Sequence, residues 1–316
     1  MRERTACRLP FLCTIAPVIT RRLHPHPVRP PRNEPREIGE LRQLRINQPD
    51  LAPAVDLQIA LVGLQRRVQA RVPMPWLEVD PNWLKQQHEL GRPLLRFEDI
   101  PLDWTDLRLM VRQTADLLRR FDALDQVEHA KIQTLARTEN QLQPLVVRWF
   151  NERAAPERVE AAEAQPQAAV GERVDPDALG QVLTLAMRPF LERCAEVLLQ
   201  RADLSTWSHA HCPLCGAEPE MAVITRSAER MLICGRCTAR WPYDPLACPF
   251  CGNDRRERIT SFASRDGLYR IYACDVCQRY LKAYDARHAE RPVMLAVDSI
   301  ATLPLDAAAM QKGYRG

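Results

Sequence analysis

The sequence predicts an α+β protein, an N-terminal helical domain followed by two small zinc-ribbon β modules. Three observations lead there. Apolar residues recur at helical spacing in four stretches between residues 54 and 198. Beyond Trp207 that periodicity stops, and short β-like runs alternate with cysteines. Eight of the eleven cysteines form four CxxC pairs between Cys212 and Cys277. Glycine is scarce, at 11 of 316 residues, which favours helices over a glycine-punctuated all-β fold. The length suits two or three domains. An apolar content of 46% with 27% charged residues excludes a wholly disordered chain. A membrane-spanning helix needs about 20 consecutive apolar residues. No run approaches that length, so stable membrane insertion is not expected.

Residues 1–50 hold 10 Arg against 5 Asp or Glu, so the formal charge of +4 sits in this opening segment and the remainder is near neutral. The same stretch carries eight prolines, and RRLHPHPVRPPRNEPRE (21–37) cannot hold a regular element because proline fixes φ and removes a donor. A disordered basic leader is expected over 1–45. Arg2, Arg4 and Arg8 precede LPFLCTIAPVI in the manner of a secretory signal. Pro10 and Pro17 interrupt that stretch, however, and it has no small-residue cleavage site, so export is not expected.

Leu57, Leu61, Leu64, Val68 and Val72 predict a first amphipathic helix between Pro53 and Pro73. Leu107, Met110, Val111, Leu117, Leu118, Phe121 and Leu124 predict a second over 104–124, and a third is expected over 126–142, ending near Pro144. The fourth has the clearest face, with Leu179, Val182, Leu183, Met187, Phe190, Leu191, Cys194, Val197 and Leu198 aligned. Residues 152–177 read as a loop. A helical domain over 46–205 follows, its apolar faces packed mainly against one another. Strands are expected at 221–226, 231–233, 258–263 and 268–273, the last two joined by a turn at Asp266 and Gly267. Residues 206–245 and 246–290 form the two four-cysteine modules, and 291–316 a partly helical tail.

The chemistry rests on Cys212, Cys215, Cys234, Cys237, Cys248, Cys251, Cys274 and Cys277. In CPLCG (212–216) and CPFCG (248–252) two sulfurs sit on one tight turn, and the trailing glycine accepts the positive φ that aims backbone N–H groups at them. A second CxxC returned by a hairpin completes a tetrahedral four-thiolate site. Zinc ribbons separate their two pairs by about 15–20 residues. The gap from Cys215 to Cys234 falls inside that range and the gap from Cys251 to Cys274 just beyond it, whereas Cys237 and Cys248 lie much closer together. The first pair therefore joins the second, and the third joins the fourth. A disulfide framework would need an oxidising compartment, and a thioredoxin-type motif would need a βαβ setting. Four thiolates suit zinc or a single iron, and spacing does not choose between them. Cys194, on an apolar helix face, reads as a buried small hydrophobe, and Cys7 and Cys13 have no recognisable context. His209 and His211 read as linker residues ahead of Cys212. No phosphate-binding loop, dinucleotide fingerprint, HExxH or GxSxG is present, so the chain is not expected to be an enzyme.

The segments CPLCGAEP (212–219), LICGRCTARW (232–241), ACPFCG (247–252) and YACDVCQRYLKAYD (272–285), with the ending from Asp298 through LPLDAAAMQKGYRG, resemble the formate dehydrogenase accessory protein FdhE family. The motifs carry the resemblance over residues 205–316; over 50–200 it rests on helical character. The resemblance implies two rubredoxin-like modules behind a helical domain. It further implies iron as the occupant of two mononuclear sites, with zinc as alternative. The role implied is that of an assembly factor needed for respiratory formate dehydrogenase, which contacts the catalytic subunit of that enzyme in the cytoplasm before export.

The competing class is a nucleic-acid-binding zinc-ribbon protein. Residues 201–285 contain 12 basic and 10 acidic residues, and eight thiolates with two divalent ions bring that balance to about −2. No nucleic-acid partner is therefore expected. Trp241, Tyr243, Tyr269 and Tyr272, the aromatics that could stack on a single strand, read as module core.

Overall fold

The structure is a computed structural model and describes residues 34–77, 79–152, 174–287 and 289–316. The expectations for a disordered leader over residues 1–33, for Cys7 and Cys13, and for most of the 152–177 loop lie outside the described residues. Among the described residues, regular structure begins with α1 (Arg36–Asn47), inside the stretch expected to be leader, with Pro35 just ahead of its first turn. Helix α2 (Ala52–Gln69) buries Val55, Leu61, Val62, Leu64 and Val68. A short helix that the apolar pattern did not suggest, α3 (Pro81–Glu89), starts where Asp80 accepts from the N–H groups of Asn82 and Trp83. Its signal is the Asp80-Pro81 pair, a capping acid followed by the residue best suited to the first helical position. Helix α4 (Trp104–Arg120) opens on the Asp103 cap and turns a stripe of Leu107, Met110, Val111, Ala115 and Leu118 inward.

The single helix expected over 126–142 is two, α5 (Gln126–Leu135) and α6 (Glu139–Asn151). The break falls at residues 136–138, and Pro144 lies inside α6 rather than after it. Proline there removes one bond near the helix start, and the carbonyl left without its donor belongs to exposed Asn140, which water can reach. Helix α7 (Pro176–Arg201) is capped by Asp175 and buries residues on most of its circumference, including Leu183, Met187, Phe190, Leu191 and Cys194.

Six strands follow: β1 (Pro219–Ile224), β2 (Arg230–Cys234), β3 (Arg240–Pro242), β4 (Ile259–Ala263), β5 (Tyr269–Cys274) and β6 (Arg279–Asp285). They form one sheet in the order β3-β2-β1-β6-β5-β4. Each module is thus three antiparallel strands, and the two are fused by parallel pairing of β1 with β6, Val223 opposite Tyr284. The turn at Asp266 and Gly267 joins β4 to β5, with the Asp266 carboxylate accepting from the Ser264 hydroxyl and the Leu268 N–H. The tail forms α8 (Leu295–Ala301) and α9 (Leu303–Gln311).

One continuous core runs from α4 and α7 into the first module: Leu107, Met110, Phe190 and Leu191 share it with Trp207, Leu232, Trp241 and the first four cysteines. The helical faces therefore pack against the sheet as well as against one another. At the other end Val297 of α8 joins Leu41 of α1 and Val55 of α2 in a separate apolar cluster. Among the described residues, no helix is long and apolar enough to cross a membrane.

Candidate metal centres

The four CxxC turns share one backbone device. After the second cysteine of each, the residue takes a left-handed conformation: Gly216 (φ 74°), Thr238 (φ 58°), Gly252 (φ 71°) and Gln278 (φ 56°). Its N–H donates to the carbonyl of the first cysteine, at 2.9, 3.2, 2.9 and 2.9 Å in that order. Only two of the four positions carry the glycine such a turn favours. The plainer pairs, 234/237 and 274/277, reach the same geometry with side chains that tolerate it less well.

These turns bring the eight cysteines into two groups. Cys212, Cys215, Cys234 and Cys237 form the first, and Cys248, Cys251, Cys274 and Cys277 the second, with the sulfurs of each group within 4.8 Å of one another. Across the first group Sγ–Sγ distances are 3.5 Å (Cys212 to Cys237) and 3.4 Å (Cys215 to Cys234); across the second they are 3.8 Å (Cys248 to Cys277) and 3.7 Å (Cys251 to Cys274). A tetrahedral ion with bonds of about 2.3 Å to sulfur sets its ligands about 3.8 Å apart. A disulfide would need about 2.05 Å. The donor set and its spacing fit a metal ion, and both clusters could hold one.

Electrostatics agree. In the first cluster all four side chains are at most 1% exposed. Burial pushes the Cys212 thiol well above its ordinary value, while hydrogen bonds from Cys212, Cys234 and Cys237 hold Cys215 well below. One proton leaves readily and further ionisation is opposed, which is the situation a bound cation relieves. Backbone donors aid it: Leu214 N–H points at Cys212 Sγ (3.4 Å), and the N–H groups of Arg236 and Cys237 at Cys234 Sγ (3.3 and 3.4 Å). In the second cluster burial raises Cys248, whereas Cys251 is exposed and Cys277 half-buried.

The helical region grips the first cluster. Leu94 and Leu95 donate their N–H groups to the carbonyls of Pro213 and Leu214 at 2.9 and 2.8 Å. From α7, Arg188 donates to the carbonyl of Gly235 at 2.6 Å, and Arg236 lies over the Trp149 ring at 4.1 Å. None of these contacts was legible in the motifs, because Leu94, Leu95, Trp149 and Arg188 all lie far back along the chain from the cysteines they hold.

His209 and His211 belong to neither group of sulfurs. The ring of His211 lies 2.9 Å from the carbonyl of Gly91 and that of His209 3.3 Å from the carbonyl of His88. Both stack edge-on against Trp207, so they fasten the linker to the helices. Cys194 is fully buried and burial pushes its thiol up to about 12, leaving an inert packing residue. Trp241 and Tyr269 are buried, and Tyr243 and Tyr272 half-buried.

No family model matches the chain. A protein FdhE homolog of Shewanella oneidensis is 31% identical over 134 residues, 41% of this chain and 44% of that protein. Protein FdhE of Escherichia coli O1:K1 / APEC is 29% identical over 107 residues, 33% and 34% of the two chains. The match thus spans less than half the length of these curated relatives. The crystal structure of the FdhE protein from Pseudomonas aeruginosa shares the fold, with a TM-score of 0.56 at 21% identity over 88% of this chain and 91% of that one. The chain is thus similar in sequence to FdhE proteins over part of its length and shares the fold of one of them.

Proposed function

We propose that the protein is an accessory factor for a respiratory formate dehydrogenase, which binds the catalytic subunit of that enzyme in the cytoplasm before export and does not itself turn over a substrate. The eight cysteines hold two mononuclear metal ions in this reading, iron in the working protein with zinc as the alternative occupant. The observation that carries it is the pair of all-thiolate clusters on a fold shared with an FdhE protein over 88% of the chain. An iron held by four thiolates supplies a one-electron couple. The chain's own contribution is to aim backbone N–H groups at the sulfurs and to pack apolar side chains around them. Those surroundings suit holding a metal more than binding a substrate. The burial of Trp241 and Tyr269 also removes two of the aromatic faces a single-stranded nucleic acid would need.

A strain lacking the protein should make inactive formate dehydrogenase, and the full chain should restore formate oxidation. A pull-down should recover the catalytic subunit at moderate salt, since a partly apolar contact does not fade steeply with ionic strength as phosphate binding does. The double variants Cys248→Ser/Cys251→Ser and Cys274→Ser/Cys277→Ser should fail to restore activity. Normal formate oxidation in the deletion strain, with salt-sensitive retention of nucleic acid by the purified protein, would overturn the proposal.

A further inference from the structure

The two centres share ligands, turn geometry and sheet, but not surroundings. Every sulfur of the first lies in the core that joins the helices to the sheet, and no ligand is more than 1% exposed. Both of its turns are held from outside their module: the 212–215 turn by the backbone of Leu94 and Leu95, the 234–237 turn by Arg188, by Glu192 through Thr238 Oγ1 (3.4 Å), and by Trp149 under Arg236. To uncover a sulfur there, helices and sheet must part.

The second centre lies mostly in its own module and beside the tail. It is touched from the first module by Arg230, which donates to the carbonyl of Ala247 at 2.8 Å, and by Glu218, which accepts from Arg279 at 2.7 Å. Its neighbours are the Arg279 guanidinium, 3.7 Å over the Phe250 ring, and the Tyr314 hydroxyl, which donates to Asp275 at 2.6 Å. Cys251 is exposed and Cys277 half-buried. Val276, between Cys274 and Cys277, is 53% exposed, whereas Leu214, within the first turn of the first centre, is 1% exposed. Solvent reaches the Cys251 residue here with no rearrangement of the fold.

We propose that the second centre is the exchangeable one, taking up and releasing a thiophilic divalent cation through Cys251, while the first is a permanent staple. The inference rests on the reading that both clusters hold metal. The step is ligand exchange with no change of oxidation state. Cys251 Sγ gives up its bond to the cation, a donor atom of the incoming ligand takes its place, and the freed thiolate takes a proton from water. A buried thiolate can follow that route only after local unfolding, and the cost of opening then sets the rate.

The test uses the full-length protein loaded anaerobically with two zinc ions and challenged with excess 4-(2-pyridylazo)resorcinol. Release should be biphasic, one ion per phase, with rates separated by at least about tenfold, as local and core opening differ. An iodoacetamide pulse during the fast phase should label Cys251 and Cys277 and spare the four cysteines of the first centre. Cys251→Ser should remove the fast phase and leave the slow one unchanged. Cys215→Ser should remove the slow phase; if that variant does not fold, the labelling order in the unmodified protein still decides. Release of both ions in one phase, or labelling that begins among residues 212–237, overturns the inference with the metal reading intact. A folded protein that binds no zinc overturns the metal reading and the inference together.

Discussion

Gln278 and Thr238 mark the limit of reading single residues. The turns ending in Gly216 and Gly252 were legible because glycine announces a left-handed position; nothing in the identity of Gln278 or Thr238 does so. A non-glycine residue held at positive φ costs about 1 kcal/mol or more. Gln278→Gly should therefore add up to about 1 kcal/mol of stability and raise the unfolding midpoint, less what is lost with its side-chain bond to the carbonyl of Asp275 (3.0 Å) and with the extra freedom glycine gives the unfolded chain. A lower midpoint in thermal denaturation would show that the side-chain bond outweighs the backbone strain. Asp285 offers a second test, through pH. The Arg287 guanidinium, 2.6 Å from Oδ2, with Arg270 at 3.3 Å, holds its carboxyl down at about 2. A depressed carboxylate stabilises the fold in full above its unfolded value of about 4, and that contribution fades as pH falls through the folded value. Stability measured by denaturant titration should drop between about pH 4 and 2, and Asp285→Asn should flatten the drop across that window.

At the scale of elements, periodic stretches were legible and joins between them were not. The faces of α2, α4 and α7 followed from spacing, because each helix buries a stripe whatever lies opposite. The split between α5 and α6 escaped because Pro144 reads as a stop, although near a helix start it costs a single bond to an accessible carbonyl. Strand β6 escaped for another reason: the turn that returns it from β5 is the CxxC turn at 274–278, which reads as a sulfur-bearing knuckle, and its other partner β1 lies far back in the chain and pairs with it in parallel. Helix α8 is braced on this sheet by one buried carboxylate. Asp298 accepts from Tyr269 Oη of β5 at 2.7 Å, from Arg291 at 2.6 and 3.2 Å, and from the Met294 N–H at 2.6 Å. Asp298→Ala leaves the partly buried Arg291 guanidinium to the Pro292 carbonyl at 3.1 Å and to Glu40 at 3.4 Å. The loss should cost about 3 kcal/mol, the lower end for a broken buried ion pair. Tyr269→Phe removes one bond and should cost about 1 kcal/mol. Equal midpoints for the two variants would mean that the carboxylate contributes nothing beyond the tyrosine bond.

Taken whole, the molecule depends unequally on its two centres. The gathering of the eight cysteines into two groups of four was legible from spacing alone, whereas the burial of one group and the exposure of the other depend on which module the helices cover. The four cysteines of the first centre share a core with α4, α7 and Trp241, so its loss opens the interior that the helices and the sheet have in common. Structural zinc contributes about 10–16 kcal/mol in small finger domains. That matches or exceeds the whole net stability of a typical domain, about 5–15 kcal/mol. Cys212→Ser/Cys215→Ser should therefore melt helices and sheet together, with a large loss of helical circular dichroism at room temperature. Cys248→Ser/Cys251→Ser removes ligands at the outer end of the sheet, where β5 and β6 remain pinned by Tyr269 and Tyr284 against Val223, and by Ile271 and Tyr280 against α9. That variant should keep its helical signal and lose protection against hydrogen exchange only around residues 248–252 and 274–278. A helical signal lost equally in the two variants would show that the sheet transmits the loss of either centre, and that the shared core is not what distinguishes them.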